Sequence, residues 1–284
     1  MGTLFMVATP IGNLEDITLR ALRVLKEVDW IASEDTRHTG QLLRRYGITT
    51  RQVSFHEHNT RQRLDRLLRA LDEGDVALVS DAGTPGVSDP GFELVQAALA
   101  AGHRVRPIPG PSAPVAALIA SGLPTDSFLY LGYLPRQAAE RRRMIATLAE
   151  ERRTVVCFEV PHRLRAALAD LAGALGDDRQ AAVCRELTKL HEDIRRGTLA
   201  SLVSQFGKEA PRGEITLVIA GARETARWEE ARVRRALERQ SAAGATPTEA
   251  ARAVSEESGW PRREVYQLAI KNRRKPAGPA EERQ

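Results

Sequence analysis

The sequence predicts an α/β fold in two domains with a small helical extension after them. Three observations carry that expectation. Short apolar runs alternate with stretches of helical periodicity over residues 3–121. The alternation resumes after a Pro/Gly break, "SGLPTDS", at 121–127. From Arg223 onward the chain becomes charged and helix-forming. Strand and helix in alternation imply a mostly parallel sheet with helices on both faces, and 284 residues suffice for two domains. The expected divisions are 1–121, 122–222 and 223–284.

In the first domain, strands are expected at 3–8, 28–33, 51–56, 75–80 and 104–108, with helices near 18–27, 36–45, 60–72, 90–101 and 112–121. "TLRALRVLKEV" places apolar residues at helical spacing from Leu19 to Val28. "TRQRLDRLLRALDEG" does the same and stops at Gly74. In the second domain, "FLYLGYL", "TVVCFEV", "AAVCREL" and "GEITLVIAG" read as strands, with helices near 137–149 and 162–175. "TKLHEDIRRGTL" lacks a helical stripe and fits a strand added antiparallel. In the extension, "RETARWEEARVRRALERQ" reads as a helix. "TPTEAARAVSEESG" carries a capping box, with Thr246 at the N-cap, Pro247 at N1 and Glu249 at N3, and Gly259 closes it. A further helix begins at Pro261, which gives a helix-turn-helix-like bundle.

Composition excludes several classes. Hydrophobic residues make up 42% and charged residues 28%, as in an ordinary globular protein. No apolar run reaches 18 residues, so no membrane-spanning helix is expected. "MGTLFMVATP" lacks the basic start of a signal peptide and has Met6 where a myristoylation signal needs Ser or Thr, so it reads as a buried first strand. Cys157 and Cys184 have no ligand-like spacing. They read as buried small hydrophobes in a reducing compartment, the cytoplasm, and no metal is expected. The net charge of +5 is uneven: residues 223–284 hold 14 Lys or Arg and 10 Asp or Glu, so +4 of it lies there. That asymmetry fits a polyanionic partner, or simply a solvated helical tail.

Three strand ends are rich in Pro and Gly: "TPIGN" at 9–13, "SDAGTPGVSDPG" at 80–91 and "PIPGPSAP" at 107–114. In an open α/β sheet, ligands collect at the carboxyl ends of strands. The central loop has no lysine, which excludes a P-loop, and the first loop lacks GxGxxG, which excludes a dinucleotide fingerprint. An adenosyl group carrying a cationic sulfonium fits loops that offer bare backbone and no positive charge. A rigid turn with Gly at positive φ is the plain alternative.

Taken together, "ATPIGNLEDIT", "EDTRHTGQLL", "SFHEHN", "VSDAGTPGVSDPG", "PIPGPSAPVAAL", "PHRL", "CRELTK" and "GEITLVIAG" resemble the ribosomal RNA small-subunit methyltransferase I family, within the tetrapyrrole methylase superfamily. The resemblance runs in order over about residues 4–221. It implies a two-domain tetrapyrrole-methylase-like architecture with S-adenosylmethionine in the cleft. It also implies 2′-O-methylation of a cytidine ribose in the decoding centre of small-subunit rRNA, on free rRNA or the assembled 30S subunit, by a homodimer without a metal. By that resemblance Pro10, Gly83, Thr84, Val87, Ser88, Ser112 and Ala113 contact the cofactor from the first domain. Phe158, Leu187, Glu214, Ile215 and Thr216 close the pocket from the second. "CFEVPHR" departs from the family pattern at Cys157, Phe158 and Val160, which removes two hydroxyls.

A ribose hydroxyl is a poor nucleophile and calls for a base. Glu34, Asp35 and His56 at strand ends are the candidates, with Arg37 and Asn59 beside them as substrate-binding groups. Asp35 equally fits a helix cap, His56 a half-buried structural histidine, and Arg37 an ion pair with Glu34 or Asp35. Lys271, Arg273, Arg274 and Lys275 in "IKNRRKP" are candidate phosphate contacts. Two other functions fit parts of the pattern: a tetrapyrrole C-methyltransferase on the same fold, and a non-enzymatic nucleic-acid-binding module.

Overall fold

The computed structural model describes residues 1–56, 60–207, 211–222 and 228–273, with the side chains of 60–62, 256, 272 and 273 excepted. The chain divides into two compact units, Met1–Gly221 and Ala222–Gln284.

The first unit holds two five-stranded sheets. Strands β1 (Thr3–Val7), β2 (Trp30–Ser33), β3 (Arg51–Ser54), β4 (Val76–Val79) and β5 (Arg104–Ile108) form the first, in the order β3-β2-β4-β1-β5. All its pairings are parallel. Parallel strands need crossovers, and five helices follow the five strands: α1 (Leu19–Glu27), α2 (Thr36–Arg45), α3 (Thr60–Glu73), α4 (Phe92–Ala100) and α5 (Ala113–Ser121). Helices α1 and α2 cover one face through Val24, Leu25, Leu42 and Leu43, and α3 and α4 cover the other through Leu67, Leu71 and Leu94. Each of these strands and helices begins and ends within two residues of where the periodicity places it.

The second sheet contains β6 (Phe128–Tyr133), β7 (Thr154–Glu159), β8 (Gln180–Arg185), β9 (Asp193–Thr198) and β10 (Ile215–Ile219), in the order β6-β7-β10-β8-β9. Only β6 and β7 run parallel; β9 adds antiparallel to β8, as "TKLHEDIRRGTL" suggests. Three helices, α6 (Ala138–Ala146), α7 (Pro161–Leu175) and α8 (Leu199–Gln205), cover its outer face. The short α8 is absent from the sequence-based expectation. Its N-cap, Thr198, is also the last residue of β9 and accepts a hydrogen bond from the Ser201 N–H.

Period-2 alternation divides the second sheet cleanly. Val155, Cys157, Val183, Leu217 and Ile219 face the outer helices. Val156, Ala182, Cys184 and Val218 face Ala117 and Leu118 of α5, together with Ile11. Thus α5, which ends the first run of alternation, is packed on the second sheet and joins the two layers.

The second unit has its own core. Helices α9 (Glu230–Ala242), α10 (Pro247–Ser258) and α11 (Arg262–Arg273) enclose Val233, Leu237, Ala251, Val254 and Val265. The Thr246–Glu249 capping box is present, and Gly259 is left-handed at φ 66°. Among the described residues, no helix is long and apolar enough to cross a membrane.

Candidate active site

Because the five strands of the first sheet are parallel, their carboxyl ends lie along one edge, and the three Pro/Gly loops meet there. Thr9 and Gly83 form an antiparallel bridge, with the Thr9 N–H donating to Gly83 O at 2.8 Å and the Gly83 N–H donating to Thr9 O at 3.0 Å. The Thr9 hydroxyl donates to Ser80 O at 3.1 Å, and the Thr84 hydroxyl to Pro111 O at 3.3 Å. Gly83 is left-handed at φ 81°, a conformation that costs other residues strain. Ser88, at φ 62°, shares a hydrogen bond of 2.7 Å with the Tyr130 hydroxyl of the second sheet.

The second sheet supplies the opposite wall. The register pairs Thr216 with Phe158 on one side and Cys184 on the other. Alternation puts all three on the face that carries Val156, Ala182 and Val218, so they form a row across the sheet. Glu186 and Thr188, both left-handed at φ 52° and 65°, bend the chain after β8 so that Leu187 turns inward. Lys189 is tied there to Glu186 at 2.8 Å and Glu214 at 3.1 Å. Gly12 makes this close approach possible: a Cβ on it would stand 2.3 Å from Lys189 Cγ and 3.0 Å from Leu187 O.

Between these walls lies a cavity of about 320 Å³. Gly83, Thr84, Val87 and Ser88 line it from the loop after β4, and Ser112 and Ala113 from the start of α5. Phe158, Leu187, Glu214, Ile215 and Thr216 line it from the second sheet. Pro10 does not; it is buried behind, and the adjacent Ile11 takes its place in the lining. The reason is the bridge at Thr9, which fixes the chain so that the following side chain, not the proline ring, reaches the space.

The candidate acid-base groups separate. Glu34 lines the cavity, and burial, reinforced by the Asp81 charge, raises its pKa above the ordinary carboxylate range. Asp35 is exposed and is the N-cap of α2, accepting from the N–H groups of Arg37 at 2.7 Å and His38 at 3.4 Å. Hydrogen bonding from Arg37 chiefly lowers its pKa. His56 is half-buried and outside the lining, though its charge bears on Glu34. Arg37 is exposed. Asn59, Arg274, Lys275 and the side chain of Arg273 lie outside the described residues, and Lys271 is exposed on α11.

Three carboxylates in the lining, Asp81, Asp89 and Glu159, escaped sequence reasoning. Asp89, in the loop after β4, has its pKa pushed up to about 6 by burial and by the nearby Glu34 and Asp81 charges, against a smaller opposing effect of Ser80. Glu159, at the end of β7, is buried and paired with Arg163. Asp89 was visible in "SDPG" as an acidic residue of the very loop singled out for its glycines, but nothing local distinguishes it from a turn aspartate. The described residues lining the cavity include no Lys or Arg.

Comparison with known proteins agrees with this architecture. The tetrapyrrole (corrin/porphyrin) methylase profile matches residues 3–203. A ribosomal RNA small subunit methyltransferase I from Synechocystis sp. is 50% identical over 273 residues, covering 95% of this chain and 98% of that protein. The protein of that name from Halalkalibacterium halodurans is 46% identical, covering 94% of each. The one from Thermotoga maritima is 47% identical over 222 residues, 78% of this chain and 99% of that protein, so over a fifth of this chain has no counterpart in it. Among solved structures, a uroporphyrin-III-C-methyltransferase from Thermus thermophilus superposes with a TM-score of 0.56 at 24% identity, covering 78% of this chain and 94% of that one. That likeness speaks to the fold alone. By the profile match and by identity over nearly their full length, the chain belongs to the ribosomal RNA small subunit methyltransferase I family of tetrapyrrole methylases.

Proposed function

We propose that the protein transfers a methyl group from S-adenosylmethionine to the 2′-oxygen of a cytidine ribose in the decoding centre of small-subunit rRNA, free or in the assembled 30S subunit. The observation that carries this reading is the cavity itself. Its backbone-rich loops, its carboxylates and the absence of Lys or Arg among its described lining residues suit an adenosyl group with a sulfonium cation, and they do not suit a phosphate. The carboxylates include Glu34, Asp81, Asp89 and Glu214.

Bound in the cavity, S-adenosylmethionine would supply the methyl group for an in-line displacement by the ribose oxygen, with a neutral thioether as the leaving group. The protein contributes position and a base. In this reading Asp89 takes the proton of the 2′-hydroxyl. A carboxylate pushed up to about 6 is ionised at neutral pH and more basic than an exposed aspartate. Glu34 sustains that basicity as the neighbouring negative charge. Asp35 holds the start of α2, so the loop carrying Glu34 keeps its place.

The same reading assigns residues 1–121 and 122–222 as the two domains that enclose the cofactor, and 223–284 as an rRNA-docking extension, with Lys271, Arg273, Arg274 and Lys275 on phosphate. It places the enzyme in the cytoplasm as a homodimer, a state that sedimentation tests directly. The decisive experiment incubates purified protein and S-adenosylmethionine with unmethylated 30S subunits and with free rRNA, then maps 2′-O-methyl groups. A single methylated cytidine in the decoding centre is the expected result. Transfer to a porphyrinogen instead, or no transfer to RNA, would overturn it.

A further inference from the structure

The side chain of Glu159 lines the cavity and is 0% exposed. Its Oε1 accepts from the Val160 N–H at 2.8 Å and from Arg163 Nη2, one helical turn on, at 2.6 Å. Among the described residues its Oε2 has no hydrogen-bond partner, and neither do Nε and Nη1 of Arg163. A buried charged oxygen without a donor bears the full cost of its desolvation, which is offset when a ligand supplies the donor. The pair is neutral as a whole, so a free cation has little to gain from it. What it offers the cavity is one open acceptor, Glu159 Oε2. Close by stand flat apolar surfaces: Phe158, whose ring lies 5.5 Å from that of Tyr130 and 5.3 Å from that of Tyr133, and Pro161. A planar ring fits such walls.

We infer that Glu159, oriented by Arg163, reads the amino substituent of a planar ring: an exocyclic –NH₂ donating to Glu159 Oε2. This rests on the function proposed above, which brings two such rings to the site, the adenine of the methyl donor and the cytosine of the target. A keto group in the same place sets an acceptor against an acceptor and is rejected. The rejection is strong because it leaves two buried polar groups unpaired.

The test compares amino with keto forms in two arms. In the first, titration calorimetry measures binding of S-adenosylhomocysteine and S-inosylhomocysteine. In the second, transfer is measured to small-subunit RNA with cytidine or uridine at the target position. The wild-type protein prefers the amino form by at least about tenfold in one arm, and that arm identifies the ring. Glu159→Gln erases the preference in the same arm, because its amide cannot both accept from Arg163 and Val160 and present an acceptor to the ring. Equal treatment of amino and keto forms by wild-type protein in both arms overturns the inference without recourse to any variant. So does a preference that Glu159→Gln leaves intact. A wild-type protein that binds no S-adenosylhomocysteine at all counts instead against the functional reading on which the inference rests.

Discussion

Thr9 and Gly83 exchange a pair of backbone hydrogen bonds, 2.8 and 3.0 Å long, that join the loop after β1 to the loop after β4. Gly83 holds a left-handed φ of 81° in that bridge. Adding a Cβ meets Ile11 Cγ2 at 3.4 Å, an ordinary contact, so space is not what demands glycine. Backbone conformation is.

Gly83→Ala should therefore weaken S-adenosylmethionine binding by straining the pinned loop, at about 1–2 kcal/mol for a non-glycine residue held left-handed. Calorimetric binding and a melting curve separate the effects. We expect a lower affinity with a modest drop in melting temperature, and unchanged affinity would mean that the loop does not shape the cofactor site.

The position of Asp89 makes a pH prediction. Its pKa is pushed up to about 6, and the base must be ionised to accept a proton. The rate of methyl transfer should accordingly fall as pH drops through 6 and level off above it. Asp89→Asn should remove that limb and cost ~10²–10⁴-fold in rate, with S-adenosylmethionine binding retained. A variant with the wild-type rate and profile would move the role to Glu34.

Asp35 should behave as a cap. Asp35→Ala should lower the melting temperature by exposing the first N–H groups of α2, and Asp35→Asn, which also caps well, should recover most of the loss. Its folded pKa lies below the ordinary 3.8, so the stabilisation is present above that value and is lost as acid protonates the folded carboxylate. Loss of transfer at full stability in either variant would restore Asp35 to the chemistry.

Both thiols should be inert. Burial pushes the Cys184 thiol up to about 11 and the Cys157 thiol higher still. A thiol reagent at neutral pH should modify neither in the native protein and both in denaturant. Fast native labelling of Cys184 would show that the cavity opens to solvent more widely than its geometry implies.

A chain ending at Ala222 should fold and bind S-adenosylmethionine, since the first unit carries its own cores and the whole cavity. Its affinity for small-subunit RNA should be lower and its salt dependence shallower, in proportion to the phosphate contacts removed. Equal affinities and slopes for the full and shortened chains would rule out RNA docking by the extension.

The sequence by itself determined the elements whose signals are local. Helical stripes such as Leu19–Val28, the Thr246–Glu249 box and the strand-end glycines each depend on residues within a few positions, and each is where the pattern put it. The parallel first sheet also followed, because alternating strands and helices leave few other topologies. The tertiary structure decided the rest. Asp35 was legible both as a cap and as a base, and only the bonds from Arg37 and His38 separate the two. That α5 packs on the second sheet depends on Val156, Ala182 and Val218, which lie 35 or more positions beyond its end. Asp89 is an ordinary turn aspartate until the surrounding chain removes its water and brings the Glu34 and Asp81 charges beside it. Glu159 is an ordinary strand-end carboxylate until burial leaves one of its oxygens without a donor. Periodicity and capping act over one or two turns of chain, whereas desolvation is set by whatever distant segments close around a group, and the chemistry of this site is made by desolvation.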